Sequence, residues 1–334
     1  MGRLSVVAPD GIGEVTEGTD LAALVAEVAD LRDGDVVVVT GKVVSKAEGR
    51  TVVVGTGPAS DAAYETHLAG ETLRLVARRG RTRIVRNRLG LVMAAAGIDR
   101  SNVATDALVL LPLDPDASAR TMRARLHDLV GVNVGVVVTD TAGRAWREGQ
   151  TDIAIGLAGV QPAEAFAGRH DSYGNPLAVT LPAVADEIAG AAELAQGKLG
   201  ARPVAVLRGR ADLVLPVGDD GPGARALQRP EGADLFGFGA REAVVVALAD
   251  EPHLRPVFGA PADLVELADA FDRVVPGSEL RTDDGEGDEG AELTLPRPVP
   301  VVVVRALCIA HGWRLDGQPG HGAVTSAHLS PSAS

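Results

Sequence analysis

The sequence predicts an α+β fold built from mixed and antiparallel sheets with helices. Three observations carry that expectation: strand-like runs buried on both faces, capped helices between them, and no regular period joining the two. Asp35–Thr40, Gly135–Thr139 and Pro203–Leu207 are short continuous runs dominated by valine, the pattern of strands covered on both sides. Helical stretches separate them, but no repeating strand–helix–strand unit of about 30 residues appears, which disfavours a doubly wound parallel sheet.

In chain order, Thr19 and Asp20 precede an apolar stripe from Leu21 to Leu31, and Asp33-Gly34 closes that helix ahead of the first valine run. Ser60 to Arg79 reads as a second helix. Arg83–Arg86 and Leu91–Ala96 read as extended or mixed, punctuated by Gly90 and Gly97. Ala107–Pro112 is a strand, and Asp116 caps a helix running to about Leu129. Val184–Lys198 is an amphipathic helix. A composition break near Phe238–Arg241 separates a domain over 1–240 from a small C-terminal α/β extension over 241–334. Within the extension the sequence predicts helices over 240–249 and 262–275 and a solvated disordered acidic loop over Asp283–Glu292. A strand over Pro298–Val304 and a polar tail over 320–334 complete it.

With Asp+Glu 45 against Lys+Arg 32, the 334 residues carry a net charge of −13, which argues against a nucleic-acid or anionic-membrane binder. A hydrophobic content of 46% rules out a disordered chain. The lone Cys308, in a strand-like apolar context, excludes an intramolecular disulfide framework and a cysteine-based zinc cluster. There is no signal-peptide pattern at Met1–Asp10 and no apolar run near the ~20 residues of a membrane span, so a soluble cytoplasmic protein is expected. Lysine is scarce: only Lys42, Lys46 and Lys198 stand among the 32 basic residues.

Four polar stretches could carry chemistry. Thr40–Gly49 follows a buried strand and holds Lys42 and Lys46; it suits phosphate oxygens as point charges, or is a turn with solvated lysines. No Walker A loop and no dinucleotide-binding glycine fingerprint occur in the chain. Asp99 and Asn102 stand three residues apart in Ala96–Val103, a spacing equally common in turns and helix caps. Thr139–Asp152 puts Asp140 and Thr141 at the end of a valine strand, as a hard-metal site requires, with Arg144 and Arg147 as guanidinium forks on either side of Trp146. The alternative there is a structural salt-bridge loop. Gly218–Arg225 joins Asp219 and Asp220 to three glycines, which suits a phosphate-wrapping loop or a plain surface loop.

Together these stretches resemble the coenzyme F420-0:γ-glutamyl ligase family. The likeness rests on Val43–Gly49, Ala95–Val103, Val137–Arg147 with Gly149–Gly156, and Pro203–Gly209, and covers about residues 5–237. It implies a two-lobed fold and a homodimer. It also implies a GTP- and divalent-metal-dependent amide ligase that adds L-glutamate to F420-0, and extends the γ-linked tail, through an acyl phosphate. Two Mg2+ or Mn2+ ions, with K+ as an additional candidate, are implied as cofactors. Carried over by motif, Asp99, Asp140, Thr141 and Asp220 would hold metal, with Asp219 as the competitor for the last position. Asn102, Lys46, Gly41 and Lys42 would meet the nucleotide, and Ile12, Gly13, Glu14 and Val15 would line it. Gly218, Asp219, Asp220, Gly221, Gly223 and Arg225 would wrap the GTP phosphates. Two departures stand out: Gly41-Lys42 replaces a hydroxyl pair, and Pro222-Gly223 stands where a small hydroxyl residue is common. A ligase of the same fold acting on another acid and amine, or a catalytically silent nucleotide-binding scaffold, are the alternative readings.

Overall fold

The computed structural model describes residues 3–100, 105–282, 290–317 and 322–332. The chain begins β1 (Ser5–Val7), α1 (Leu21–Val28), β2 (Val36–Thr40), α2 (Gly41–Ala47), β3 (Thr51–Val53), α3 (Pro58–Glu71) and β4 (Thr72–Arg79). It continues β5 (Thr82–Asn87), β6 (Val92–Ala94), β7 (Ala107–Val109), α4 (Pro115–Val130), β8 (Gly135–Arg144) and β9 (Arg147–Ala158). After β10 (Arg169–His170) and β11 (Pro176–Leu177) come α5 (Val184–Gln196) and β12 (Val204–Arg208). The remainder is α6 (Ala240–Ala249), α7 (Leu264–Val274), β13 (Glu279–Thr282), β14 (Ala291–Pro300), α8 (Val301–Ala310), β15 (Trp313–Leu315) and β16 (Ala323–Pro331). The α+β class is as the sequence predicts.

Two compact units result, one of residues 1–74 with 84–228 and one of residues 75–83 with 229–334. The second is thus larger than the expected extension, taking in 229–240 and a stretch from the first half of the chain.

The first unit is organised on a five-stranded sheet in the order β1-β12-β2-β8-β9. Only β2 and β8 run parallel; every other neighbour is antiparallel. The valine runs are explained by what lies on both faces. Val37, Val39, Val136 and Val138 pack with Leu21 and Val25 of α1 and Ala119, Met122 and Leu126 of α4. Val36, Val38, Val137, Ala205 and Leu207 pack on the other face against Val184, Ala185, Ile188 and Ala192 of α5. Alternate valines therefore serve opposite cores, each contributing the ~1.5–3 kcal/mol of a buried aliphatic side chain.

Several local expectations are corrected. Asp20 caps α1 by accepting from Ala23 N at 3.0 Å. For α4 the cap is Asp114, which accepts from Ala117 N at 3.0 Å with Pro115 in the first turn, and not Asp116. The helix expected over 60–79 ends at Glu71, because Thr72–Arg79 alternates its exposure as a strand does. Within Thr40–Gly49, Gly41–Ala47 form helix α2 rather than a turn.

The second unit holds a four-stranded antiparallel sheet, β13-β14-β16-β15, packed with α7 and α8 through Leu267, Phe271, Leu293, Val304, Cys308 and Leu329. The run expected as a strand over 298–304 turns into α8 at Val301: Val301, Val304 and Cys308 are buried at helical spacing, and packing overrides the β preference of valine. Cys308 is accordingly a helical core residue, its thiol pushed up to about 12 by burial, which removes it as a nucleophile. Of the acidic loop, 283–289 lie outside the described residues, whereas Ala291 and Glu292 open β14. The expected polar tail contains β16, whose Leu329 is fully buried.

A β-carbon on Gly156 would fall 2.3 Å from the Pro115 carbonyl oxygen, whereas one on Gly143 would meet nothing within 4 Å. Gly156→Ala is therefore expected to lower stability by about 1–3 kcal/mol and Gly143→Ala to leave it within about 0.5 kcal/mol, as read from urea-unfolding midpoints.

Candidate active site

Parallel pairing sets the site. Thr40 of β2 lies opposite Thr139 of β8, where the parallel pairing stops, and ligands collect at the carboxyl ends of parallel strands. From one end the chain turns straight into α2; from the other it runs on through Asp140 and Thr141 into a hairpin with β9. A cavity of about 570 Å³ opens there.

The cavity gathers most of the residues singled out in the sequence. Ile12, Gly13, Glu14 and Val15 form one wall, with Ile12 and Val15 anchored in the core so that Gly13 and Glu14 are presented outward. Gly41, Lys42 and Lys46 form another; the lysines lie four residues apart on α2 and so project from the same side. Asp99, Asp140 and Thr141 complete the set. Asp99 is held by reciprocal backbone hydrogen bonds with Val109 at 2.9 Å, and its carboxylate is 2.6 Å from Lys42 Nζ. Asn102 lies outside the described residues.

Lys198 lines the same cavity, so all three lysines of the chain converge on one place. Three further residues join that the sequence reading had not assigned. Asp152 is buried and accepts from Thr139 Oγ1 at 3.0 Å and Thr141 Oγ1 at 2.8 Å. Glu193 sits one turn before the end of α5, its carboxyl raised by desolvation and the nearby Asp152 charge, with Lys198 opposing. Gln196 is 2% exposed, and neither its amide oxygen nor its nitrogen has a hydrogen-bond partner among the described residues. A buried amide in that condition costs about 1–3 kcal/mol unless something in the cavity meets it. Its signal was present in the sequence: Gln196 continues the buried stripe of Ile188 and Ala192 at four-residue steps, a polar group on an apolar face.

Electrostatics centre on Asp140, whose carboxyl is pushed up to about 7. Desolvation is the main cause, Asp152 and Asp99 add to it, and the Thr141 N–H and the Lys42 charge oppose it.

The glycine-rich loop Gly218–Arg225 is not part of this cavity. Arg123 gathers it instead, donating to Asp219 O at 2.7 Å, Asp220 Oδ1 at 2.9 Å, and the carbonyls of Leu215 and Pro216 at 2.9 Å. Gly221 N donates to Asp219 Oδ1, and Gly223 is pressed against the Asp116 carboxylate, which accepts from Ala224 N and Leu157 N. Gly218, Asp219, Asp220, Gly221, Gly223 and Arg225, which the resemblance assigns to phosphate and metal, therefore do not line this cavity, and the Asp220 carboxylate meets a buried guanidinium. The loop that does border the cavity follows α5, through Gly197, Lys198, Leu199, Ala201, Arg202 and Pro203. Arg144 and Arg147 face each other across the exposed β8–β9 turn and do not reach the cavity.

A sheet-end cavity lined by acids, lysines and an unsatisfied amide is an enzyme site, and its relatives place it among the ligases. The family model of the F420-0:γ-glutamyl ligase matches residues 11–209, and the chain belongs to that family. It is 40% identical over 219 residues to the coenzyme F420:L-glutamate ligase of Archaeoglobus fulgidus, covering 62% of this chain and 88% of that protein. With the Methanopyrus kandleri protein of the same name it shares 39% identity over 237 residues, 67% of this chain and 93% of the other. The Halobacterium salinarum namesake is 42% identical over 220 residues, 60% of this chain and 85% of the relative. No helix among the described residues is long and apolar enough to cross a membrane.

Two outcomes check this geometry. With its carboxyl raised in the fold, Asp140 costs stability as pH climbs from about 4 to about 7, because the unfolded chain ionises first. Asp140→Asn should therefore raise the melting temperature at pH 8 and leave it unchanged near pH 4. Asp220→Ala should lower stability by about 1 kcal/mol, read from urea-unfolding midpoints, since its partner Arg123 is nearly buried.

Proposed function

We propose that the protein is a GTP-dependent amide ligase that adds L-glutamate to coenzyme F420-0 and extends the γ-linked tail. GTP transfers its terminal phosphoryl group to the acceptor carboxylate, releasing GDP. The glutamate amine then attacks the acyl phosphate, forming the amide and releasing phosphate and a proton. The observation that carries this reading is the convergence of Lys42, Lys46 and Lys198 with Asp99 and Asp140 at the ends of two parallel strands, within the stretch that matches the family. Phosphoryl transfer depends mostly on positioning and charge neutralisation, and point-charge ammonium groups supply both.

The chain's own residues divide the work. Lys46, one turn along α2, is placed to meet phosphate oxygens, and the segment Ile12–Val15 to close over the nucleotide. Gln196 offers a donor and an acceptor to whatever enters. Thr139 and Thr141 hold Asp152 in place through both carboxylate oxygens. Asp140, a carboxylate kept partly protonated by its surroundings, suits a divalent cation, whose charge would favour its ionised form. Such a cation, when bound, would offset the charge developing on the transferred phosphoryl group. We also propose a homodimer, as the resemblance implies.

Mass spectrometry of F420-0 incubated with the protein, GTP, Mn2+ and glutamate should show products heavier by successive glutamyl units, and Asp140→Asn should slow their formation by at least about 100-fold. GTP consumption that is indifferent to both co-substrates, or an unslowed variant, contradicts the reading.

A further inference from the structure

The resemblance implies two divalent cations, and the described carboxylates do not form a ready set for two. Among the described residues, no three histidine, cysteine, aspartate or glutamate side chains converge as a ready metal set. Each oxygen of Asp152 accepts from a threonine hydroxyl. Asp99 is ion-paired with Lys42 at 2.6 Å, with the two side chains 34% and 20% exposed.

The backbone sets the position of that ammonium. Any β-carbon at Gly41 would lie 2.8 Å from the Thr139 carbonyl oxygen and 3.2 Å from Ile155 Cδ1. Glycine therefore lets the first turn of α2 seat directly on β8 at Thr139, and Lys42 leaves from that turn. It pairs with Asp99 and lines the same cavity as Asp140, so one ammonium stands beside two of the carboxylates that the resemblance assigns to metal. Lysine suits this task because its charge is compact and carried on a flexible stem, whereas a guanidinium is broad and planar. In a chain that otherwise uses arginine almost throughout, the choice at position 42 follows from that geometry.

We infer that the Lys42 ammonium occupies the place of one of the two divalent cations, so that the chain holds a single Mg2+ or Mn2+ at Asp140. The inference deepens the ligase reading and rests on it for the presence of a divalent ion.

Titration of the full-length protein with Mn2+ alone, followed by electron paramagnetic resonance, counts bound ions directly. Two ions about 3.5–4 Å apart couple magnetically, whereas one does not. The unaltered chain should bind one Mn2+ with an uncoupled spectrum, and Lys42→Ser should bind a second and show coupling. Two ions or none on the unaltered chain overturns the inference, as does a count of one in a Lys42→Ser variant whose circular dichroism matches the parent. If Lys42→Ser fails to fold, Lys42→Gln is titrated in its place, and the count on the unaltered chain decides in either case. Glutamyl products measured on the same preparation separate the two readings. One Mn2+ without product overturns the ligase reading and keeps Lys42 as the resident cation; two with product does the reverse.

Discussion

The parallel pairing of Val36–Thr40 with Gly135–Thr139 is the constraint on which the rest depends. It stops at one level on both strands, and from there the backbone becomes free to carry polar groups. β2 hands over at once to α2, which fits only because Gly41 lets the helix touch the Thr139 carbonyl. β8 continues into the hairpin that carries Asp140, Thr141 and, on the return strand, Asp152. Lysines and acids are thereby brought face to face across a distance set by strand spacing.

That arrangement is costly until something occupies it. Desolvation and two neighbouring carboxylates hold Asp140 well above its ordinary range, and Gln196 is buried with its amide unmet. Clusters of this kind mark functional sites more often than structural ones, because a fold gains nothing by keeping them. The Arg123 network supplies the contrast within the same unit. There a buried guanidinium meets a carboxylate and several carbonyls, every donor has an acceptor, and the glycine-rich loop is fixed in place. Both regions combine acids, glycines and a basic residue; only one leaves groups unmatched.

Much of the fold was legible in the sequence because the strands of its central sheet are largely valine runs covered on both faces. Where valine meets helical spacing instead, as in Val301, Val304 and Cys308, the β-branched run misleads, since the partners that bury it are far away in the chain. Asp99, Asp140, Thr141, Lys42 and Lys46 were legible through motif and position. Asp152 was not, because a carboxylate one hairpin away carries no local mark of its partners.

The sequence by itself determined the three valine-rich strands of the central sheet, the α+β class, the family and the stretches that bear chemistry, because these depend on local pattern and residue type. The tertiary structure decided which glycine-rich loop borders the cavity. Gly218–Arg225 and Gly197–Pro203 look alike as strings, but Arg123 claims the first and the end of α5 delivers the second. It also decided that Lys198 belongs with the other two lysines. Such choices rest on which charge lies opposite which, and that is fixed only when elements distant in the chain pack together.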